Sequence, residues 1–182
     1  MKIVQYPHPA LRRTAEPVAQ ISKELHIQVG NMLELMYANE GLGLAAPQIA
    51  ANNRVLVMNF AGDPEQKDQE YVAINPVITE MKGSFDDREG CLSFPGLFSK
   101  IRRARTVKVQ AYNLKGELFE MTASELPARV WQHEIDHLDG KLFIDKMGML
   151  GRMNSRRAIE QFVDEYKEAR AKGEYPGLEP KM

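Results

Sequence analysis

Strand-like stretches gather in the middle of this 182-residue chain while helical periodicities precede and follow them, and that order most limits its fold. Residues 54–60 and 71–79 read as strands. Val107, Val109 and Ala111 then alternate with polar residues, Lys115-Gly116 supplies a turn and residues 117–121 return, which predicts a hairpin. Ahead of the strands, Ser22 caps a helix whose apolar stripe is Leu25, Val29, Met32, Leu33 and Met36. Residues 39–43 end that helix and open a glycine-bearing loop. After the strands, a second helix is expected to start from Thr122 or Ser124, with Pro127 fitting the first turn of a helix capped by Ser124. Gly140 is its stop. A last helix over residues 149–171 buries Ile159, Phe162, Val163 and Tyr166 and ends at Gly173. No regular βαβ alternation appears, so the class is α+β. Residues 1–173 are read as one domain and residues 174–182, with Pro176 and Pro180, as an extended tail.

Composition narrows the function. Lys and Arg total 24 against 25 Asp and Glu, which argues against a protein that holds a polyanion by bulk charge. There is no run of 18 apolar residues for a membrane span, and the first residues lack the apolar core of a signal peptide. Cys91 is the only cysteine, so no intramolecular disulfide forms and a reducing compartment, the cytoplasm, is expected.

The segment His133-Glu134-Ile135-Asp136-His137 carries the chemistry. On a helix, side chains four residues apart stack on one face, so both imidazoles can meet one ion. Glu134 then stands beside the ion's open position, where it can move protons. The plain alternative is a histidine pair satisfied by ordinary packing. Leu126 and Val130 share the histidines' face, which turns that face inward. A catalytic site needs a third protein ligand. The pattern HExxHxxGxxH holds as far as Gly140 and then fails, because Phe143 stands at the third-ligand position. Two solutions remain: Glu160 on the last helix, or Cys91, which otherwise reads as a small buried hydrophobe. His8 and His26 sit in unrelated contexts.

Three segments together, GLGLAAPQ (residues 41–48), EGCLS (89–93) and HEIDH (133–137), resemble the signature motifs of the peptide deformylase family in order and spacing. The resemblance runs from PHPALR (7–12) to about Phe143. It implies an α+β fold with mixed or antiparallel β-sheets packed around a central HExxH helix, plus N-terminal and C-terminal helices. It also implies removal of the N-formyl group from the methionine that starts new polypeptides, with release of formate. One divalent metal ion per chain is implied, Fe²⁺ in the cell, with Zn²⁺ or Ni²⁺ able to substitute.

Carried over by motif, Cys91, His133 and His137 hold that ion with water as fourth ligand. Glu134 takes the water's proton and passes it to the departing amine. The Gln48 side-chain amide and the Leu92 backbone N–H stabilise the oxyanion, each worth about 2.7–4 kcal/mol. Leu126 and Val130 line a slot for the methionine side chain, and Leu42, Gly43 and Gly90 complete the substrate site. Gly43 lets a peptide backbone approach and pair as an added strand, or it simply ends a helix. A ferrous–thiolate site invites oxidation, so the Fe²⁺ form is expected to lose activity in air. The partners expected are N-formylmethionyl nascent peptides and a transient ribosome contact through the last helix. No sequence-specific nucleic acid and no membrane are expected.

Three sets of charged residues remain to be read. Glu89 and Arg103 either pair to steady the Cys91 loop or form a solvated surface pair. Lys100, Arg102, Arg103 and Arg105 read as an exposed strand entrance rather than a nucleic-acid patch. Arg152, Arg156 and Arg157 oppose the macrodipole at the start of the last helix.

Overall fold

The structure, a computed structural model, describes residues 1–173; the expected tail at 174–182 lies outside the described residues. After a 3₁₀ turn at Pro9–Arg12 come α1 (Lys23–Ala38), β1 (Gly43–Ala45) and a second 3₁₀ turn at Ala46–Ile49. β2 (Val55–Asn59), β3 (Glu70–Lys82), β4 (Phe85–Cys91), β5 (Phe94–Arg103), β6 (Thr106–Tyr112) and β7 (Leu118–Ser124) follow. The chain then forms α2 (Leu126–Leu138) and α3 (Met149–Ala171). One sheet has the order β1-β2-β3-β6-β7, and β4-β5 make a separate two-stranded ribbon. All of these strand pairs are antiparallel, so of the expected mixed or antiparallel sheets the named ladders are of the second kind.

β2 is buried along its whole length because both of its faces are covered. Val55 and Val57 meet Leu25, Val29, Met32 and Met36 of α1. Leu56 and Met58 face Ala128, Trp131 and Leu138 of α2. A strand covered on both sides reads as a continuous apolar run, which is how residues 54–60 look in sequence. A third cluster joins Leu11, Phe94, Ile101, Phe143 and Phe162, tying α3 and the N-terminal segment to β5. The first cluster packs α2 on the sheet, and ion pairs from Glu89 and Arg103 tie its other side to the ribbon.

Ser22 caps α1 as expected, its hydroxyl accepting from the Leu25 N–H at 3.3 Å. The cap of α2 is different. Ser124 belongs to β7, where its hydroxyl lies 3.0 Å from that of Thr106. Glu125 is the junction residue, at φ 59°, and its side chain makes no cap; Pro127 does sit in the first turn. The strand-to-helix corner is so tight that a left-handed backbone, rather than a capping hydroxyl, makes the turn. Two further expectations change. Part of GLGLAAPQ is a strand and a 3₁₀ turn rather than a loop, and the supposed Cys91 loop is the junction of β4 and β5.

Candidate metal centre

Ten of the thirteen residues of α2 are buried, among them Arg129, Gln132, His133, Glu134 and His137. Burying so many polar groups is tolerable only if each finds a partner. Gln132 does so by donating to the Ala104 and Ala128 carbonyls and accepting from the Ala104 N–H. The His133 Nδ1–H donates to Glu89 Oε1 at 2.7 Å, which leaves its Nε2 lone pair aimed away from the network. Glu89 also accepts from Arg103 Nη2 at 2.6 Å and Arg129 Nη1 at 2.7 Å, and Arg103 reaches Asp136 as well. The Glu89–Arg103 pair is therefore buried and anchors the metal-facing end of β4. Arg103 is correspondingly no part of an exposed entrance, being 4% exposed, while Lys100, Arg102 and Arg105 do face solvent.

Cys91, His133 and His137 converge. Cys91 Sγ lies 3.3 Å from His137 Nε2, and the two Nε2 atoms lie 3.2 Å apart. For bonds of about 2.0–2.1 Å to nitrogen and 2.3 Å to sulfur, tetrahedral geometry separates the donors by roughly 3.3–3.6 Å. The set fits one divalent ion, and all three ligand atoms fall within 4.8 Å of one another. Glu160 takes no part: it is exposed on α3 and paired with Arg156 at 2.9 Å, so the alternative third ligand is excluded by position.

The rest of the expected set surrounds this point. Gln48 is buried; its Oε1 accepts from the Ala45 N–H at 2.8 Å, which turns Nε2 toward Cys91 Sγ at 3.5 Å and Ser93 Oγ at 3.3 Å. Glu134 carries a buried Oε2 without a hydrogen-bond partner, a carboxylate atom with unused capacity beside the three ligands. Burial, with a smaller contribution from Glu89, pushes its carboxyl up to about 7 despite His133 and Arg103. Burial and the neighbouring His133 hold His137 well below its usual value, in the neutral form that ligation requires. At Gly43 a Cβ would stand 2.6 Å from Glu134 Oε1, so the glycine makes room for that carboxylate.

A cavity of about 780 Å³ opens over the centre. Leu42, Gly43, Gln48, Gly90, Cys91, Leu92, Val130, His133 and Glu134 line it. Leu126 lines it too but is 48% exposed, so at the first turn of α2 it does not share the inward face expected of it. His137 lies beneath, 1% exposed. Arg129 and the link from Glu89 to His133 are absent from the sequence reading. The available signal was a charged residue four positions before His133, on the face that Val130 and the histidines mark as inward.

The chain is similar to known proteins over nearly all its length. A family model described as polypeptide deformylase matches residues 1–153. The peptide deformylase of Acidobacterium capsulatum is 47% identical over 150 residues, covering 82% of this chain and 88% of that protein. That of Alkalilimnicola ehrlichii is 43% identical and covers 90% of each. Among solved structures, a plant peptide deformylase superposes with a TM-score of 0.90 at 38% identity, covering 99% of this chain and 96% of that one. The Plasmodium falciparum enzyme gives 0.89 at 36% identity, covering 92% and 98%. With the fold, the three-ligand cluster and these likenesses in agreement, the chain belongs to the peptide deformylase family.

Proposed function

We propose that this chain removes the N-formyl group of formylmethionyl peptides, the family's reaction, with the cavity floor divided into ion-holding, proton-moving and oxyanion-holding groups. The observation that carries the reading is the meeting, at one point, of Cys91, His133, His137, the Gln48 amide and the unpartnered Glu134 oxygen. When bound by Cys91, His133 and His137, a divalent ion supplies Lewis acidity and lowers the pKa of water. Glu134 takes the proton of the attacking water and delivers it to the amine nitrogen as the formamide C–N bond breaks. Gln48 Nε2 and the Leu92 N–H donate to the oxygen that becomes negative. Because the Ala45 N–H occupies Gln48 Oε1, the amide cannot flip and present its oxygen to the developing anion.

The peptide has a place to lie. β1 is the edge of the five-stranded sheet, so its outer side is free to pair with an extended substrate. Leu42 and Gly43 provide that edge, Gly90 faces it, and Leu126 and Val130 take the methionine side chain. Ferrous iron is assigned as the cellular ion, with Zn²⁺ or Ni²⁺ as substitutes, and the thiolate ligand accounts for the expected loss of the Fe²⁺ form in air. Residues 1–173 act as one catalytic domain on nascent chains in the cytoplasm, with transient ribosome contact through α3 and no sequence-specific nucleic-acid binding. Among the described residues no helix is long and apolar enough to cross a membrane.

The test is formate release from formyl-Met-Ala by anaerobically purified protein with Ni²⁺ restored. Glu134→Ala is expected to keep its metal and lose about 10²–10⁴-fold in rate. Cys91→Ala is expected to lose the metal and Glu160→Ala to keep both metal and activity. No formate from the metal-filled parent protein would refute the reaction.

A further inference from the structure

We propose that Arg88, placed over the Phe98 ring beside the cavity, selects peptides with an acidic side chain at the third residue. This rests on the deformylase reading and names a substrate class within it. Arg88 is exposed and lines the cavity, and its guanidinium carbon stands 4.3 Å from the Phe98 ring centroid. Gly90 makes the stack possible: a Cβ there would fall 2.5 Å from the same ring. Along β4, side chains alternate, so Glu89 turns inward to its buried partners while Arg88 and Gly90 share the other face.

The guanidinium is available. Among the described residues it has no carboxylate partner; Asp87 accepts only from the Arg88 backbone N–H. Its cross-strand neighbour is Lys100, another exposed cation. Like charges directly opposite destabilise a ribbon, so local stability does not account for this pair. Of the other charged residues lining the cavity, Glu89 and Arg129 are paired with each other, Glu134 is buried beside the metal ligands, and Lys2 and Glu40 are of opposite sign. Arg88 is therefore the exposed cation of the β4 side.

Distance selects the position read. Arg88 stands three positions before the metal-facing Cys91, at most about 10 Å at roughly 3.3 Å per residue, the ladder being irregular between Gly90 and Cys91. An extended formylated peptide sets its third Cα about 9–10 Å from its formyl carbon. The third side chain therefore reaches Arg88 when the formyl group reaches the centre.

The experiment compares kcat/KM for formyl-Met-Ala-Glu-amide and formyl-Met-Ala-Lys-amide, with formyl-Met-Ala-Ala-amide as reference, using the Ni²⁺-loaded parent. The Glu peptide is expected to exceed the Lys peptide by about fivefold at low salt, mainly through KM, with the ratio approaching one in about 1 M NaCl. Arg88→Glu should invert the ratio and Arg88→Gln should bring it near one. A parent ratio near one at low salt, or a preference that salt leaves unchanged, overturns the proposal even if no variant folds. An unchanged ratio in either active variant does the same. Failure on the Ala reference would instead count against the deformylase reading.

Discussion

α2 and α3 are helices of the same chain held in opposite ways. α2 buries ten of thirteen residues, half of them polar, whereas of the 23 residues of α3 only Ser155 and Phe162 are buried. The charges of α2 are tied into Glu89, Arg103 and Asp136, most of them nearly inaccessible to water. Those of α3 form short-range surface pairs such as Arg156–Glu160 and Lys167–Asp164. Buried polar networks interact strongly and are costly when broken, while exposed pairs exchange solvent for little net gain. Chemistry sits on the helix whose polar side chains are tied into a buried network, and the exposed helix meets the core through Phe162 against Phe94, with Ala158 and Ile159 beside it.

The sharpest way to test that contrast is to remove the hub. Glu89→Ala leaves Arg129 without its buried counter-charge and Arg103 with Asp136 alone, and is expected to cost about 3–5 kcal/mol, read from denaturant unfolding. A loss below about 1 kcal/mol would mean that α2 does not depend on the network. The next effect appears as pH dependence. Burial alone would raise the Glu89 carboxyl, but hydrogen bonds from His133 and Arg103 outweigh it and hold the group well below its ordinary value of 4.5. The folded state thus favours the charged form. Its contribution is complete above pH 4.5 and is lost progressively as the pH falls below that value. Parent stability should therefore drop through this range more steeply than that of Glu89→Ala; parallel curves would remove Glu89 as the source.

Activity gives a related reading for Glu134. Its carboxyl, raised to about 7 by burial, must be ionised to accept a proton, so rate rises with pH. A bound cation offsets part of the elevation, which places the acid limb of kcat/KM between 4.5 and about 7. A limb at the ordinary glutamate value would show that burial is not felt by the loaded site. The smallest effect belongs to α3: Arg156→Ala is expected to cost no more than about 0.3–0.5 kcal/mol in thermal unfolding. A loss comparable to that of Glu89→Ala would erase the distinction between the helices.

Legibility in sequence followed the range of the interactions. α3 appears in sequence with the bounds it has in the structure, because its period is local and Gly173, at φ 76°, follows its end. Of its expected buried stripe only Phe162 is buried; Ile159, Val163 and Tyr166 are half-buried because the helix packs at the molecule's edge. β4 and β5 were not visible as strands. Asp86, Asp87, Arg88 and Glu89 hide β4 in charge, and the inward row of β5 mixes Leu97 and Ile101 with Ser99 and Arg103. A polar residue points inward there only because a partner from elsewhere awaits it, and no window along the chain contains that partner. The cap of α2 was misplaced for a related reason, since Glu125 takes its backbone angle from the corner between β7 and the helix.

The residues by themselves determined the types of chemistry available: two histidines one helical turn apart, a glutamate between them, one cysteine and one glutamine in recognisable motifs. Those are facts of spacing, and a 3.6-residue period turns them into geometry without outside help. Only the tertiary structure chose Cys91 over Glu160 as the third ligand, linked His133 to Glu89 across 44 residues and set Arg88 on Phe98 beside the cavity. These pairings depend on how the β4–β5 ribbon packs against α2. That packing comes from summed burial and charge compensation between distant segments, which no local pattern encodes.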